Sequence, residues 1–468
     1  MNEHIISDYR KHAMVKEYLT KHPDDKEKLK NIYFCHTRII RATGITPSVM
    51  ILHCEETQDN LLYGLATCHS AWSCPICTAK TLAQRGNDIA CAIDAMATWY
   101  QQKAIMITFT IPHYKYMTCK QTYDQLLKTW RRFSRGGLRA YNATAIKKDN
   151  TKKTKGENPY GKFRHELSST HFVKAFEFTW GDNGWHPHIH MLFWVPTKNW
   201  DKILSHEKSL IDSWWHCAKS EFLKTLNKKY PDKKERNKKH TEKIYSDSKK
   251  KAHKPLYISV DKDGKPTVQK SSFYVAGFTT FDQKEWAANQ ELTAGTRIKT
   301  AKDGHLTPFQ MLTKAEKADN QAEKDKWLKL YIDYATTTAG HRRFDFSHTK
   351  SKNLTIPTLK EIIRKWKETN QYMESFKKKL LDRGKRTLRI IGWFNEQNWL
   401  QICLISHSTN PQIMTEILSR APNTKAIQDY LNQYDIHLET KDHPEKDFFE
   451  KRILGLSTEA RKIFERCA

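Results

Sequence analysis

Residues 176–195, FEFTWGDNGWHPHIHMLFWV, contain two apolar runs on either side of the tetrapeptide GDNG. Gly, Asn and Asp favour turns, so this stretch predicts a β-hairpin whose two strands meet at GDNG. Side chains alternate between the two faces of a strand. His186, His188 and His190 are therefore expected to project from one face of the second strand.

The register of the hairpin decides what lies opposite these histidines. If Trp180 faces Trp185 across the turn, Glu177 lies opposite His188. Such a patch has too little apolar surface to be a core face, and a carboxylate among imidazoles favours a metal ion or a charged substrate. The alternative is an exposed, histidine-rich strand without a ligand. We predict a metal site.

The string GWHPHIH, which contains His188-Ile189-His190, resembles the His-hydrophobic-His signature of HUH endonucleases. In particular, it resembles the form carried by rolling-circle replication initiators of small plasmids and phages. The resemblance implies an α+β nuclease core with a central antiparallel sheet flanked by helices. It also implies one Mg²⁺ or Mn²⁺ held by His188, His190 and a further polar ligand, for which Glu177 is the candidate. His186 is an alternative third ligand, or a proton shuttle for an attacking tyrosine.

The composition points to a polyanionic partner. The chain of 468 residues has 80 Lys and Arg against 52 Asp and Glu, a formal net charge of +28. This balance predicts attraction to nucleic acid, and the alternative is a generally basic surface without a specific partner. The 14 Trp and 19 Tyr residues interleave with the basic residues, which suits stacking on unpaired bases.

The hydropathy pattern predicts a cytoplasmic protein. No apolar run approaches the roughly 20 residues needed to span a bilayer. The first residues, MNEHIISDYRKHAMVK, lack the apolar core of a signal peptide. The ten cysteines are then expected to be reduced or metal-bound rather than paired in disulfides.

Four cysteines, Cys54, Cys68, Cys74 and Cys77, predict a structural zinc site. The C-x2-C knuckle at Cys74 and Cys77 can present two thiolates to one tetrahedral ion, and Cys68 and Cys54 can complete the set. Three nearby donors are alternatives to Cys54: His53, His69 and Cys35. A redox pair and incidental buried cysteines are the rival interpretations. The segment SCPICTAK resembles the CPxC segment that precedes the catalytic core in the plasmid initiators.

Residues 271–312 resemble the tyrosine motif of the initiators. In that motif a helix carries the nucleophile and is followed by Glu-Leu-Thr and "tPfqLL" segments, which residues 291–293 and 307–312 match. The resemblance implies that Tyr274 is the nucleophile. It attacks the scissile DNA phosphate, which the metal polarises.

This motif departs from the family pattern at two positions. Gly277 stands where the family commonly has a Lys, and Lys270 stands where some relatives have a Glu that ends the reaction cycle. Three lysines could replace the missing one: Lys270, Lys284 and Lys299. Two carboxylates could end the cycle: Glu285 and Glu291. Residues 340–347, GHRRFDFS, resemble the closing segment of the family, where Arg342 and Arg343 could contact phosphate or close the core.

The chain is expected to divide into four parts: a helical arm at 1–50, a zinc-binding segment and helix at 51–100, the HUH nuclease domain at 101–350 and a small accessory α+β domain at 351–468. Four local predictions accompany these boundaries: a strand at 104–112, a loop at 147–165, a flexible basic stretch at 224–254 and a two-stranded hairpin at 388–405, turning at NEQN.

These observations favour a rolling-circle replication initiator, a site-specific single-strand DNA endonuclease and strand transferase. Its expected partners are origin DNA, unpaired at the nick, a host polymerase and a host helicase. An HUH transposase or a mobilisation relaxase would keep the chemistry. A zinc-containing nucleic-acid-binding regulator without catalysis is the alternative from another functional class.

Overall fold

The computed structural model describes residues 3–39, 47–54, 59–135, 158–250, 255–260, 264–266, 305–347, 357–369, 388–408, 413–419 and 423–440. The helices are α1 Glu3–Lys21, α2 Pro23–Lys28, α3 Lys30–Tyr33, α4 Cys77–Tyr100, α5 Cys119–Phe133, α6 Pro159–Glu166, α7 Glu207–Lys229, α8 Lys234–Lys250, α9 Pro308–Glu316, α10 Gln321–Thr338, α11 Leu359–Lys367, α12 Glu396–Ser408, α13 Ile413–Ser419 and α14 Thr424–Asn432. The strands are β1 Ser48–Cys54, β2 Asp59–Tyr63, β3 Gln102–Thr110, β4 Phe172–Gly181, β5 Gly184–Pro196, β6 Leu256–Ile258, β7 Phe344–Phe346 and β8 Leu388–Asn395. The protein is therefore α+β, with antiparallel sheets flanked by helices, as predicted.

The chain forms two compact units, and each unit is built from segments that are separated in the sequence. One unit contains residues 1–80, 312–328 and 368–468, and the other contains residues 81–311 and 329–367. The division into four parts, with boundaries at residues 50, 100 and 350, stays a prediction.

A five-stranded antiparallel sheet forms the centre of the second unit, with strand order β6-β3-β5-β4-β7. The hairpin predicted at GDNG is confirmed, since β4 ends at Gly181 and β5 begins at Gly184. Trp180 pairs with Trp185, and Glu177 pairs with His188, as predicted. The register follows from the period of two, because a slip by one residue would move the apolar residues of β5 out of the core.

The opposite face of the sheet from the histidines packs against helices. Phe109 of β3 lies 4.9 Å from Trp214 of α7 and 5.7 Å from Trp130 of α5, measured between ring centroids. Helix α5 begins with a capping box in which Thr118 and Gln121 exchange hydrogen bonds. This apolar layer fixes the backbone of β3, β4 and β5. The histidine side chains project from the other face of these strands.

The first unit contains a second sheet, with strand order β2-β1-β8. Strand β8 pairs antiparallel with β1, and a buried apolar cluster joins this sheet to its helices through residues that include Val49, Phe394 and Trp399. The predicted hairpin at 388–405 is wrong. Only its first half is a strand, and α12 follows directly.

Two other local predictions are corrected in part. The predicted loop at 147–165 ends in helix α6, where Asn158 accepts hydrogen bonds from the backbone N–H groups of Tyr160 and Gly161. The basic stretch predicted to be flexible contains the end of α7 and all of α8. Among the described residues, no helix is long and apolar enough to cross a membrane.

Candidate functional site

Three side chains from the hairpin converge on the polar face of the sheet. The Oε2 atom of Glu177 lies 3.0 Å from Nε2 of His188 and 2.9 Å from Nε2 of His190. One donor atom from each of the three residues lies within 4.8 Å of the others. The cluster is largely shielded from solvent, with 14% of the Glu177 side chain and 8% of the His190 side chain exposed.

A neighbouring strand orients one of the imidazoles. Thr108 of β3 pairs with His190, and its hydroxyl lies 3.0 Å from Nδ1 of that ring. This contact leaves Nε2 of His190 directed at Glu177. In His188 the Nδ1 atom is buried and has no hydrogen-bond partner among the described residues. Both rings therefore present the same nitrogen toward one carboxylate oxygen.

The electrostatics of the cluster keep the carboxylate ionised. Burial alone raises the pKa of Glu177, but His188 and His190 outweigh this effect and hold it well below its usual range. Arg343 also acts on this carboxylate. Burial lowers the pKa of Arg343, while Tyr334 and Glu177 raise it. The guanidinium stays charged, because arginine is not deprotonated in proteins.

The donor set fits a divalent cation. An ionised carboxylate and two imidazole nitrogens can bind one ion, and three protein ligands leave coordination positions open for water or a phosphate oxygen. Thr108 then plays the part of an outer-shell partner that fixes the orientation of a ligating ring. The cluster of Glu177, His188 and His190 can therefore hold a metal on the polar face of the hairpin.

His186 continues the row of imidazoles toward the hairpin turn. Its ring centroid lies 5.4 Å from that of His188, and it stacks on His113 with a separation of 4.5 Å. Burial, followed by the charge of neighbouring imidazoles, holds the pKa of His186 well below its usual range. The ring is therefore neutral near pH 7 and has one nitrogen that can accept a proton.

A fifth histidine, which no sequence motif indicated, lies at the same end of the hairpin. The ring centroid of His305 is 6.0 Å from that of His186. Leu306, the next residue, exchanges two backbone hydrogen bonds with Trp180. A Cβ at Gly181 would lie 2.8 Å from Nδ1 of His305, so the absence of a side chain at Gly181 makes room for this ring.

Of the predicted DNA-binding residues, Arg342 and Arg343 lie within the described part of the structure. Arg343 is bonded through its carbonyl oxygen to the N–H of Phe176, directly before Glu177 in the chain, and Arg342 is exposed. Tyr274 and Lys299 lie outside the described residues. So do the candidate substitutes Lys270, Lys284, Glu285 and Glu291.

The second cluster consists of four cysteine thiols in the first unit. The Sγ atom of Cys35 lies 3.4 Å from that of Cys77 and 3.6 Å from that of Cys74, and Cys68 completes the group. Four ligands close a tetrahedral site. Cys35, one of the alternatives to Cys54, is therefore the fourth member of this cluster, and the side chain of Cys54 lies outside the described part of the structure.

Backbone pairing explains why Cys35 is the fourth member. The N–H of His36 donates to the carbonyl oxygen of Ala66 at 2.9 Å, and Ile39 bridges to Leu65. This pairing carries Cys35 to the segment that leads into Cys68. Cys35 is 33 positions from Cys68 in the printed sequence, so its inclusion depends on a contact that no local spacing indicates.

The knuckle itself has the geometry expected of a metal-binding turn. The backbone N–H of Cys77 lies 3.4 Å from the Sγ of Cys74, at the start of α4. Contacts from the neighbouring thiols, that of Cys35 first, lower the pKa of Cys77. The neighbouring thiols, that of Cys68 first, raise the pKa of Cys35, and burial raises the pKa of Cys74. All four thiols would therefore ionise together only around a cation, and this cluster can also hold a metal.

Comparison with known proteins gives a limited match. A curated protein of Streptomyces lividans, "Protein rep", is 27% identical to this chain over 151 residues. The match covers 29% of this chain and 31% of that protein, so the chain spans about a third of the relative's length. No family model and no solved structure matches.

The contact between Thr108 and His190 leads to a first prediction. Thr108→Val removes the hydroxyl beside Nδ1 while keeping the branched shape of the side chain. Because the ring then loses its orienting partner, Mn²⁺ affinity is expected to fall about 10- to 100-fold in calorimetric titrations. Thr110→Val is the matched control, since Thr110 lies on the same face of β3, opposite His188. Equal affinities for both variants and the wild type would show that Thr108 does not orient the ligand.

Proposed function

We propose that this protein is a rolling-circle replication initiator of the HUH endonuclease superfamily, which nicks one DNA strand at an origin and later rejoins strands. The observation that carries the proposal is the cluster of Glu177, His188 and His190 on one hairpin of an antiparallel sheet. The similarity to the Streptomyces "Protein rep" supports a role in replication. The net charge of +28 suits a DNA partner.

Glu177, His188 and His190 would hold Mg²⁺ or Mn²⁺, and the bound ion would supply the positive charge that polarises the scissile phosphate and offsets the charge building on its oxygens. The protein itself contributes a fixed carboxylate and two oriented rings, so the donor geometry exists before DNA arrives. Arg343 acts on Glu177 from the adjacent strand end. In the proposed complex the guanidinium of Arg343 would offset part of the negative charge brought by the phosphate.

Tyr274 is the proposed nucleophile. Its phenolic oxygen forms a bond to phosphorus while the bond from phosphorus to the 3′ oxygen breaks, which leaves a 5′-phosphotyrosine and a free 3′-OH. The phenol's proton would pass to the neutral ring of His186, and the leaving 3′ oxygen would take up a proton from water. The number of phosphodiester bonds is conserved, so rejoining requires no ATP.

The described residues that precede and follow the Tyr274 segment pair with the sheet that carries the cluster. Before the segment, Tyr257 of β6 pairs with Thr108, whose hydroxyl contacts His190. After it, Leu306 pairs with Trp180 at the end of β4. Tyr257 and Leu306 thus lie on opposite sides of the histidine hairpin, and this placement supports Tyr274 as the proposed nucleophile.

Other residues are proposed to bind DNA or to stabilise the fold. Arg342, which is exposed, and Lys299 would contact the phosphate backbone without reading its sequence. Zn²⁺ in the four-cysteine cluster would be structural, because four protein ligands leave no position for chemistry. A host polymerase would extend the 3′-OH, a host helicase would unwind the duplex, and the protein would work in the cytoplasm.

Covalent capture tests the proposal without knowledge of the origin. The full-length protein is incubated with Mn²⁺ and a randomised single-stranded DNA library. The DNA carries a label at its 5′ end in one sample and at its 3′ end in another. The initiator is expected to retain 3′-labelled fragments covalently and to release 5′-labelled fragments that a polymerase can extend. A sample without added divalent ion is the control.

The same experiment separates the alternatives. A zinc-containing regulator without catalysis would bind the library but yield no covalent product. A transposase or relaxase would yield the same 5′-phosphotyrosine, and the selected sequences would then identify the kind of DNA element that carries them. Retention of 5′-labelled fragments instead would contradict the proposed polarity.

A further inference from the structure

The loop after β3 lies against the turn of the histidine hairpin. Gly184 has φ of +84°, and a Cβ there would lie 3.0 Å from Cα of Lys115 and 3.1 Å from the carbonyl oxygen of Tyr114. At the start of this loop, the ring of His113 stacks on His186. Backbone packing and ring stacking therefore fix the loop beside the metal-donor cluster.

Two tyrosines of this loop form a parallel pair at the surface. The ring centroids of Tyr114 and Tyr116 are 5.5 Å apart, and their planes differ by 9°. The ring of Tyr114 also packs near that of Phe222, with the two centroids 6.3 Å apart. Tyr116 is 71% exposed, an unusual degree for an aromatic ring held in a defined orientation.

Lysines lie near the exposed ring. Burial raises the pKa of Tyr116, Lys229 lowers it and Tyr230 raises it, so both of these residues lie within electrostatic range. The ammonium groups of Lys229 and Lys233 lie over the Tyr230 ring, 5.4 and 5.8 Å from its centroid. Tyr230 is itself 41% exposed. Exposed aromatic faces between lysines are the combination that binds unpaired bases and their phosphates.

We propose that Tyr116, supported by Tyr114 and flanked by Lys115 and Lys229, is a stacking platform for an unpaired base of the substrate strand. The inference rests on the proposed function and adds to it, because it requires single-stranded DNA beside the phosphate that reacts. A base in a duplex already stacks on its neighbours, so the platform selects melted DNA. Every base has a π face, so the contact tolerates any sequence.

Binding without cleavage tests the platform. Full-length wild type and Tyr116→Ala are titrated, with no divalent ion added, against a fluorescent single strand and against the duplex of the same sequence. Loss of one stacked base is expected to weaken single-strand binding about 10-fold. Duplex binding should stay about unchanged. Tyr116→Phe keeps the ring and is expected to bind the single strand like the wild type.

Tyr100→Ala is the matched control. Tyr100 is 38% exposed but precedes the start of β3, whereas the loop follows the far end of that strand. Unchanged single-strand affinity in Tyr116→Ala would overturn the proposal and would leave a protein partner as the occupant of this surface. An equal loss for the duplex would also overturn it. Because the assay needs no cleavage, a missing covalent product would count against the proposed function alone.

Discussion

Tyr274→Phe is expected to abolish the covalent protein–DNA product. The substitution removes only the phenolic oxygen that would attack phosphorus, so the rate of adduct formation should fall on the order of 10³-fold or more. Binding of single-stranded DNA should change little, because the variant loses neither a positive charge nor an aromatic ring. The measurement is the yield of covalent product over time in the presence of Mn²⁺, alongside the dissociation constant without it.

Tyr257→Phe is the control that distinguishes Tyr274 from another candidate nucleophile. Tyr257 pairs with Thr108 across β6 and β3, so it lies on the same face of the sheet as His190, two strands away, and is 47% exposed. It is therefore a rival nucleophile that the structure itself offers. Loss of the product in Tyr257→Phe, with a normal yield in Tyr274→Phe, would assign the chemistry to β6 instead.

The hairpin was predictable because its information is local. The turn residues of GDNG fix where the chain reverses, and the period of two then fixes which residues share a face. Glu177 and His188 are consequently paired by a rule that needs only the intervening sequence. The convergence of their side chains on one patch follows from the same rule.

Features that depend on distant contacts escaped the same reasoning. His305 reaches the hairpin only because Leu306 pairs with Trp180, more than 120 positions away in the sequence. Gly181 leaves space for that ring, yet in the sequence it is one more turn glycine. His113 differs, because its position just beyond the strand predicted at 104–112 already suggested that it approaches the site, but its stacking on His186 depends on how the loop after β3 folds back.

The error at 388–405 has a different cause. The apolar alternation of LRIIGWF continues through NWLQICLI, and a short apolar run does not distinguish a strand from a helix. In the structure Asn395 accepts a hydrogen bond from the N–H of Asn398 at 2.8 Å, as an N-cap does. The same NEQN residues that suggested a hairpin turn therefore begin helix α12.

Cys35→Ser and Cys54→Ser are expected to differ sharply in zinc content and stability. Cys35 is buried within the four-thiol cluster, so its replacement leaves three ligands and weakens a site whose binding energy is folding energy. The expected cost is roughly 3 kcal/mol or more in the free energy of unfolding, with loss of bound zinc. Cys54→Ser makes the same chemical change on β1 and should keep about one zinc per chain.

Elemental analysis of chelator-washed protein and urea unfolding measure both effects on the full chain. The contrast between the two variants matters more than either value, because any Cys→Ser change in a folded protein can cost some stability. If Cys54→Ser lost the zinc and Cys35→Ser kept it, the original assignment from sequence would stand. If both kept it, the thiols would be buried cysteines that need no ion. The expected pattern requires that the pairing of His36 with Ala66 brings Cys35 to the knuckle in solution.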